Sequence, residues 1–456
     1  MRERTLNEIT RLCGAGVCRQ GQGRSATGAQ FDSRLITEGD LFFPLPGATC
    51  HGIEFVDEAL DRGAVAVVCD LEHTNSFRGP AIVVDDPVKS LGHLAAAIRQ
   101  QERRELPAIA ITGSYGKTTT CRFVGELLRE VLPTATPEAS HNNHLGVPLT
   151  ILNAPEDSKA LVCEVGSNAP GEIEPLGRWI VPRSALVTSI GPAHLAGFGD
   201  LQGVAREKFS LLETIEEGGT AWLPVEARGH PLAPEIETCF FGRGGDLELV
   251  ESAKGNWFLE DRRRGQRVSF CWQPPTRWAI GCLEAALAVS LDIVGAVDEM
   301  LAAVEELSLP PLRGEVISTA GVDLVLDCYN SSPAALLSAV DDLLDHSSSR
   351  CRLAVVGTMD ELGEEEKRWH FETGEELAVR DLDRIFLHGR GGAWLLEGVE
   401  AAGGAGEILE TDIDLACAAI IDRLSAGDRI LFKASRSAEL ERLARNVASS
   451  LGEKVS

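Results

Sequence analysis

Short apolar segments alternate with helix-like patterns along most of this 456-residue chain. The apolar segments, rich in Val, Ile and Ala, are Ala64–Asp70, Ala81–Asp85, Ala108–Thr112, Ala160–Val165, Ala185–Ile190, Leu353–Val356 and Ile430–Phe432. Continuous apolar runs of this length, bounded by turn residues, are typical of strands buried on both faces of a parallel sheet. Helical patterns follow at Thr118–Val131, Cys282–Ile293, Ala334–Leu344 and Ala438–Leu451. The alternation predicts an α/β fold.

Two segments mark candidate domain boundaries. Gln100–Leu106 is a charged run followed by Pro107, and Leu309–Arg313 contains two consecutive prolines. Proline keeps the preceding residue extended, so both segments are candidate linkers. The expected domains are residues 1–105, 106–310 and 311–456. The polar stretch Asp246–Val268 is expected to be a β-rich excursion or a loop.

Charge and composition exclude several classes of protein. The chain has 43 Lys and Arg against 69 Asp and Glu, a net charge of −26, which disfavours a broad nucleic-acid surface. No apolar run approaches the ~20 residues of a membrane-spanning helix, and the first residues lack a signal-peptide core. The 12 cysteines form no C-x-x-C pair. We therefore expect a cytoplasmic protein with reduced thiols and no membrane insertion.

The strongest local signal is the segment Ile109–Thr120, with the sequence IAITGSYGKTTT. A buried strand leads into a Gly-rich turn and then a helix, an arrangement that places backbone N–H groups and the positive helix end around a phosphate. Gly113 and Gly116 permit the turn, Lys117 reaches the outer phosphates, and the Thr118 hydroxyl suits Mg²⁺. The predicted nucleotide-binding residues here are Gly113, Ser114, Gly116, Lys117, Thr118 and Thr119.

Glu164 is a candidate Mg²⁺ ligand because it ends the buried strand ALVCEV. Ligands of open α/β sheets bind beyond the carboxyl ends of strands, and Mg²⁺ favours one or two carboxylates together with phosphate oxygens. The alternative for Glu164 is a solvated acid at a strand end. Taken alone, Asn143 fits an ordinary turn and His194 a hydrogen-bonded loop residue.

Five segments together resemble the Mur ligases, which are ATP-dependent amide-bond-forming enzymes of peptidoglycan synthesis. They are the phosphate loop TGSYGKTTT, His141–Pro148, Glu164–Gly166, Ala193–Phe198 and Arg206–Leu211. The resemblance implies a three-domain architecture with a central P-loop sheet and a C-terminal Rossmann-like domain, and a chain that acts as a monomer. It also implies transfer of the γ-phosphoryl group of ATP to a carboxylate, followed by attack of an amine on the acyl phosphate.

The resemblance assigns further roles to single residues. Lys117, Asn143, His194 and Lys208 become catalytic residues, and Thr118, Glu164, His194 and Lys208 become Mg²⁺ ligands. The family's matching lysine is carbamylated, which implies the same modification of Lys208. Arg313, Asp327 and Tyr329 are expected to line the nucleotide from the C-terminal domain.

Motifs at both ends resemble the branch that adds D-alanyl-D-alanine to UDP-N-acetylmuramoyl-tripeptide. Phe31–Gly47 resembles a uridine-binding domain, which assigns Ser33 and Arg34 to the uridine diphosphate. The C-terminal motifs are Asp327–Pro333, Gly357–Gly363 with the later His370, and Lys433–Arg436. They assign Asn330, Lys433 and Arg436 to the amine substrate. The D-N-P-R motif of the branch that adds meso-diaminopimelate is absent.

One departure keeps alternatives open. The family usually carries His and Asn where this chain has Arg277 and Gly281, with the Asn on adenine, so that Trp278 or Arg277 is a candidate stacking partner for the base. Some family members carry Gly-Arg where this chain has Arg313 followed by Gly314, so the order of the two residues is reversed. The alternatives are a meso-diaminopimelate-adding ligase, a folylpolyglutamate-type ligase, or a non-catalytic relative of these enzymes.

Overall fold

The computed structural model describes residues 1–14, 16–47, 50–138, 141–191, 195–230, 236–252, 256–295, 297–346 and 349–453. The chain forms two compact units. The first consists of Met1–Gly191, Gln202–Trp272 and Gly281–Leu307, and the second of Pro192–Leu201, Gln273–Ile280 and Ser308–Ser456. Within the described residues, no helix combines the length and the apolar character needed to cross a bilayer.

The secondary structure alternates between strands and helices, as the sequence predicts. The strands are β1 (Arg4–Thr5), β2 (Val17–Arg19), β3 (Ser25–Ala26), β4 (Gly28–Gln30), β5 (Asp40–Phe42), β6 (Ala66–Cys69), β7 (Ala81–Val83), β8 (Ala108–Thr112), β9 (Thr134–Ala135), β10 (Ala160–Glu164), β11 (Ser184–Val187), β12 (Thr220–Pro224), β13 (Glu237–Phe241), β14 (Leu247–Glu251), β15 (Trp257–Asp261), β16 (Gln266–Phe270), β17 (Glu315–Thr319), β18 (Val322–Asp327), β19 (Arg352–Val356), β20 (Arg384–Leu387), β21 (Glu407–Ile408) and β22 (Arg429–Lys433). The α-helices are α1 (Leu6–Leu12), α2 (Val56–Asp61), α3 (Pro87–Glu102), α4 (Lys117–Arg129), α5 (Gly146–Asn153), α6 (Ile173–Ile180), α7 (Leu195–Phe198), α8 (Leu201–Phe209), α9 (Arg277–Val294), α10 (Val297–Ala303), α11 (Pro333–Leu344), α12 (Glu366–Ala378), α13 (Gly389–Ala401), α14 (Ile413–Ile421) and α15 (Leu440–Glu453).

The first unit contains a five-stranded and a nine-stranded sheet. The five strands run in the order β2-β7-β6-β5-β4, and all pairs but β2–β7 are parallel. The nine strands run β16-β15-β14-β13-β12-β11-β8-β10-β9, parallel except for the antiparallel pairs β14–β15 and β15–β16. Those antiparallel strands confirm the β-rich excursion expected after residue 246. Strand β8 lies between β11 and β10, so its carboxyl end opens between two parallel neighbours.

The second unit is built on a six-stranded sheet in the order β17-β18-β22-β19-β20-β21. Only β17 is antiparallel to its neighbour. Leu324, Val355 and Phe432, from three adjacent strands, are fully buried in its core. The α/β fold predicted from the apolar runs is therefore confirmed in both units.

The charged run at residues 100–106 is not a loose linker. Arg99, which precedes it on α3, is only 2% exposed and donates from Nε to the Ile180 carbonyl oxygen at 2.7 Å. Arg103 is 7% exposed and donates to the carbonyl oxygens of Ala154 and Pro155. Each guanidinium satisfies carbonyl groups at helix ends, which explains why charged side chains are buried here. The divisions at residues 105 and 310 both stay predictions; the longest continuous segment of the second unit is Ser308–Ser456.

Candidate functional site

The phosphate loop lies between β8 and α4, at the carboxyl end of a central strand. Gly113 has a φ of 144°, and a Cβ at this position would lie 2.1 Å from the Thr188 Oγ1 atom. Gly116 has a φ of 82° and immediately precedes Lys117, the first residue of α4. Glycine is needed at both positions, for close approach at the first and for a left-handed conformation at the second. The first turn of α4 therefore presents its backbone N–H groups at the mouth of the loop.

Hydrogen bonds attach this loop to the chain just after β11. The Ser114 N–H donates to the Ser189 carbonyl oxygen at 3.0 Å, and the Ser114 hydroxyl donates to the Gly191 carbonyl oxygen at 2.9 Å. The Tyr115 N–H donates to the Ser189 hydroxyl at 2.8 Å. The loop is thus held in shape by the protein itself, so binding a phosphate need not first order it.

Lys117 and Thr119 lie in the first turn of α4 and have different surroundings. The Lys117 ammonium donates to the Gly113 carbonyl oxygen at 2.8 Å, which folds the side chain back over the loop. A phosphate entering the loop would therefore meet this cation directly. The Thr119 side chain is only 1% exposed, so its contribution to nucleotide binding is limited to its backbone N–H.

Thr118 and Glu164 meet at the end of β10. The Thr118 hydroxyl donates to the Glu164 carboxylate at 3.1 Å, and the Asn142 amide donates to the same Oε1 atom at 2.9 Å. Glu164 is only 2% exposed. A hydroxyl and one carboxylate suit Mg²⁺, which keeps several waters and takes further oxygens from phosphates. No group of three or more His, Cys, Asp or Glu with metal-binding geometry occurs among the described residues, which do not include the predicted ligand His194.

The side chain of the predicted Asn143 caps the start of α5. Its side-chain oxygen accepts hydrogen bonds from the N–H groups of Leu145 and Gly146, both at 3.0 Å, at the start of α5. The neighbouring Asn142, which the sequence analysis did not select, is the residue on Glu164. The motif N-N-H places two amides side by side, and only the three-dimensional contacts distinguish them.

Lys208 is a buried lysine near the end of α8. Its side chain is among the largest that are fully buried, and Nζ donates to the Ser167 hydroxyl at 2.9 Å. Burial, and secondarily the charge of Lys117, lower the pKa of Lys208 from 10.5 to about 7. A large fraction of this amine is therefore neutral, and nucleophilic, at neutral pH. His194, the other predicted Mg²⁺ ligand of this region, lies outside the described residues.

Ser33 and Arg34 follow β4 in a short turn. The Ser33 hydroxyl is buried and donates to the Glu58 carboxylate at 3.0 Å. Arg34 is 78% exposed in its side chain and pairs with Asp32 at 2.6 Å. The exposed guanidinium is available to an anion that displaces this surface contact, because such pairs contribute little in water.

The remaining predicted residues lie in the second unit, at the carboxyl ends of β18 and β22. Sheet register places Asp327 opposite Lys433, and their side chains form an ion pair at 2.9 Å. The Lys433 ammonium also donates to the Asn330 carbonyl oxygen at 2.8 Å. These strand ends therefore carry a largely neutralised polar cluster.

Arg313 and Arg436 of this unit have different partners. The guanidinium of Arg313 stacks over the Tyr329 ring at 4.2 Å from its centre. Arg436 pairs with Glu441 at 2.6 Å, and its side chain is 58% exposed. Both arginines thus keep a planar face or edge for an anionic ligand.

Two further residues named from motifs have local explanations in the second unit. His370 is fully buried: Nδ1 faces the Glu366 carbonyl oxygen at 2.7 Å, while Nε2 accepts from the Met359 N–H at 2.9 Å. Burial lowers the pKa of His370, which keeps the ring neutral in this role. Trp278 lines a small cavity with Asp342, whose pKa is raised to about 6 by burial.

These observations define a class of protein. A strand, a Gly-rich loop closed by Gly-Lys-Thr, a helix, and a buried acid facing the Thr hydroxyl are the arrangement typical of a P-loop nucleotide-binding α/β protein. Three family models match the chain in succession: the Mur ligase family catalytic domain at residues 26–106, the Mur ligase middle domain at 111–237, and the Mur ligase glutamate ligase domain at 312–436.

The chain belongs to the Mur ligase family. It is 30% identical to the UDP-N-acetylmuramoyl-tripeptide–D-alanyl-D-alanine ligase of Synechocystis sp., over 90% of this chain and 89% of that one. Its structure is similar to a crystal structure of MurF from Acinetobacter baumannii, with a TM-score of 0.86 at 26% identity over 98% and 99% of the two chains. MurF from Thermotoga maritima in complex with ADP matches with a TM-score of 0.80 at 28% identity, over 94% of this chain and 99% of that one.

Proposed function

We propose that this chain is an ATP-dependent ligase that joins D-alanyl-D-alanine to UDP-N-acetylmuramoyl-tripeptide. The observation that carries the proposal is the Thr118–Glu164 contact of 3.1 Å beside the Lys117 loop, in a chain that matches ligases of this name over nearly its whole length. It acts as a cytoplasmic monomer in the supply of peptidoglycan precursors. The cysteines support the cytoplasmic location, since none of the twelve, all within described residues, forms a disulfide.

Activation of the substrate carboxylate requires transfer of the γ-phosphoryl group of ATP, a reaction governed mainly by positioning and charge. Bound Mg²⁺ supplies neutralisation of phosphate charge. Lys117 holds the outer phosphates, and the first-turn N–H groups of α4 bind their oxygens. Thr118 and Glu164 would hold the metal, and Asn142 orients the Glu164 carboxylate by its hydrogen bond of 2.9 Å.

We assign Lys208 the carbamate that its family resemblance implies. The neutral amine adds to CO₂ and loses one proton, which turns a side chain without acceptor atoms into an oxygen ligand. The lowered pKa, about 7, supports this step because an ammonium cannot attack CO₂. Ser167, at 2.9 Å from Nζ, is positioned to donate to a carbamate oxygen once the modification forms.

The substrates are assigned to the two ends of the chain. We assign Ser33 and Arg34, in a domain of residues 1–105, to the uridine diphosphate, and residues 106–310 to ATP. The separate five- and nine-stranded sheets of the first unit support that division. In residues 311–456, we assign nucleotide binding to Arg313, Asp327 and Tyr329. We assign binding of the dipeptide to Asn330, Lys433 and Arg436. Of these, Arg436 is the more accessible cation, since the Lys433 side chain is only 4% exposed.

A non-catalytic relative is the second candidate, and Gly281 favours it. Gly281 has no side chain to offer adenine where the family usually has Asn. An assay of ATP-dependent ligation separates the two candidates.

The proposal is tested by measuring phosphate release by the full-length chain in the presence of ATP and Mg²⁺. UDP-N-acetylmuramoyl-tripeptides carrying either L-lysine or meso-diaminopimelate are each combined with D-alanyl-D-alanine. Turnover should require the dipeptide. The analogue in which an amide replaces the C-terminal carboxylate should not be a substrate, because a cation in the site would be left unpaired. Turnover only with UDP-N-acetylmuramoyl-dipeptide and meso-diaminopimelate would instead assign the other branch.

Lys117→Ala provides the control for chemistry. We expect it to abolish ligation, by at least about 100-fold, because the outer phosphates lose their nearest cation. The fold should persist, as judged by circular dichroism and thermal unfolding. Wild-type rates in this variant would remove the phosphate loop from the reaction.

A further inference from the structure

The side chain of Asn153, the last residue of α5, holds the edge of the five-stranded sheet. Its Oδ1 accepts from the Ala29 N–H at 3.0 Å, and its Nδ2 donates to the Ala29 carbonyl oxygen at 2.8 Å. Ala29 is the central residue of β4, an edge strand of that sheet. One amide therefore satisfies both backbone groups of a strand residue, as a neighbouring strand would.

The strand held in this way leads directly into Phe31–Gly47, the segment that we assign to uridine binding and call the uridine segment. β4 ends at Gln30, and Asp32 then caps the turn Ser33–Leu35 through a hydrogen bond of 3.0 Å to the Arg34 N–H. A Cβ at Gly28 would lie 3.3 Å from Asn153 Oδ1 and 2.2 Å from Asp40 Oδ1. The glycine thus allows α5 and the strand to approach closely at this point.

The opposite end of α5 adjoins the phosphate and Mg²⁺ site. Asn142 donates to Glu164 at 2.9 Å, and the Asn143 side chain caps the first turn of the helix. Helix α5 has eight residues, which corresponds to about 12 Å at 1.5 Å per residue. Almost all of its side chains are buried, so the helix is fixed in the core between these two ends.

We propose that Asn153 is a positioning residue that sets the distance between the uridine segment and the phosphoryl-transfer site. This inference rests on the proposed function, because it takes Ser33 and Arg34 as the anchor of the UDP end. The carboxylate to be activated lies at the far end of the same substrate. A rigid connection through α5 therefore determines where that carboxylate stands relative to the γ-phosphate.

Loss of the Asn153 amide should affect turnover more than binding. Each substrate keeps its own contacts, but the reacting oxygen and phosphorus atoms lose their alignment, and a misplacement of about 1 Å can reduce the rate by about 100-fold. A purely structural role for Asn153 would lower stability without separating kcat from the two dissociation constants.

The test compares Asn153→Ala with Thr150→Val in the full-length chain. Thr150 lies on the same helix, is buried, and donates to the Gly146 carbonyl oxygen at 3.0 Å, so its replacement removes a hydrogen bond of α5 that does not reach β4. We measure kcat with saturating ATP, UDP-N-acetylmuramoyl-tripeptide and D-alanyl-D-alanine, and the dissociation constants of ATP and of the UDP-linked substrate separately. Asn153→Gln, whose amide is displaced by one methylene group, replaces Asn153→Ala if the latter does not fold.

For Asn153→Ala we expect kcat to fall about 10- to 100-fold while both dissociation constants stay within about twofold. For Thr150→Val we expect kcat within about twofold of wild type. An unchanged kcat in the Asn153 variant, or an equal loss in both variants, overturns the inference. Absence of turnover in the wild-type chain overturns the proposed function itself, a distinct outcome.

Discussion

Lys208 shows at the scale of one residue that burying a charged group has a cost in stability. Its pKa is about 7 in the folded chain, against 10.5 for an ordinary lysine, because burial disfavours the ammonium. The folded state therefore binds this proton more weakly than the unfolded chain does. The resulting cost is complete below pH 7 and decreases as the pH rises from 7 towards 10.5.

Lys208→Met should therefore stabilise the protein and inactivate it. In bicarbonate-free buffer at pH 6, we expect the free energy of unfolding to rise by on the order of 1–3 kcal/mol, with a smaller gain at pH 9. Turnover should fall by about 100-fold or more because the proposed carbamate ligand cannot form. Denaturant unfolding at the two pH values and phosphate release measure these effects. A less stable variant at pH 6 would contradict the assigned cost of burial.

Residue-level contacts are also where the sequence is least informative. The loop glycines, Lys117 and Thr118 could be selected because their roles depend on local backbone geometry. Asn142 and Asn153 could not, because their partners Glu164 and Ala29 are 22 and 124 residues away in sequence. An amide that binds a distant backbone group has the same local pattern as an amide in a turn.

At the scale of elements, helix α9 contains a residue that weakens it. Gly281 lies in the helix, its φ is negative, and an added Cβ would meet no atom within 4 Å. Gly281→Ala should raise the free energy of unfolding by about 0.5–1 kcal/mol, because glycine loses more backbone entropy in a helix. Thermal unfolding measures the change, and a destabilised variant would show that the space is not open.

Gly281→Asn tests the same helix position for ligand binding. If the amide reaches adenine as it does in the family, the dissociation constant of ATP should fall by about tenfold, the equivalent of one hydrogen bond of about 1.4 kcal/mol. Gly281→Ala is the matched control and should leave ATP affinity unchanged. Equal affinities in both variants would indicate that adenine is bound elsewhere.

The strands β18 and β22 illustrate a second element-level device. Their parallel register brings Asp327 and Lys433 together, and the ammonium-bearing side chain is 4% exposed. Lys433→Ala should lower the free energy of unfolding by about 3–5 kcal/mol, since it leaves the Asp327 carboxylate, whose side chain is only 15% exposed, unpaired. The double variant with Asp327→Asn should recover part of that loss in a denaturant titration. A loss below about 0.5 kcal/mol would show that the pair behaves as a surface contact.

The elements themselves were largely predictable. The apolar runs at 108–112, 160–165 and 353–356 correspond to β8, β10 and β19 within one residue at each end. Buried parallel strands have continuous apolar sequences, which makes them easy to recognise. The short strands β1 to β5 were not predicted, because two or three residues carry no detectable periodicity and their pairing depends on distant partners.

At the scale of the whole molecule, the N-terminal region depends on residues far beyond its boundary. Arg99 and Arg103 donate to carbonyl oxygens between residues 154 and 181. A fragment of residues 1–105 should therefore be marginally folded and prone to aggregate, while residues 1–191 should show cooperative unfolding. Calorimetry and size-exclusion chromatography of the two fragments measure the difference. Cooperative unfolding of the shorter fragment would show that the two arginines contribute little.

The same two arginines decide where related chains can be recombined. A chimaera with its breakpoint near residue 105 would join one parent's guanidinium groups to another parent's helix ends. Wherever a carbonyl oxygen no longer lay in reach, a buried guanidinium would be left without a hydrogen-bond partner. Because Arg99 and Arg103 donate to backbone carbonyl oxygens here, the second parent need not match in side-chain identity, but its chain must turn at the same places. Compatible parents are therefore those that share the geometry of residues 154–155 and 180–181, whatever amino acids they carry there.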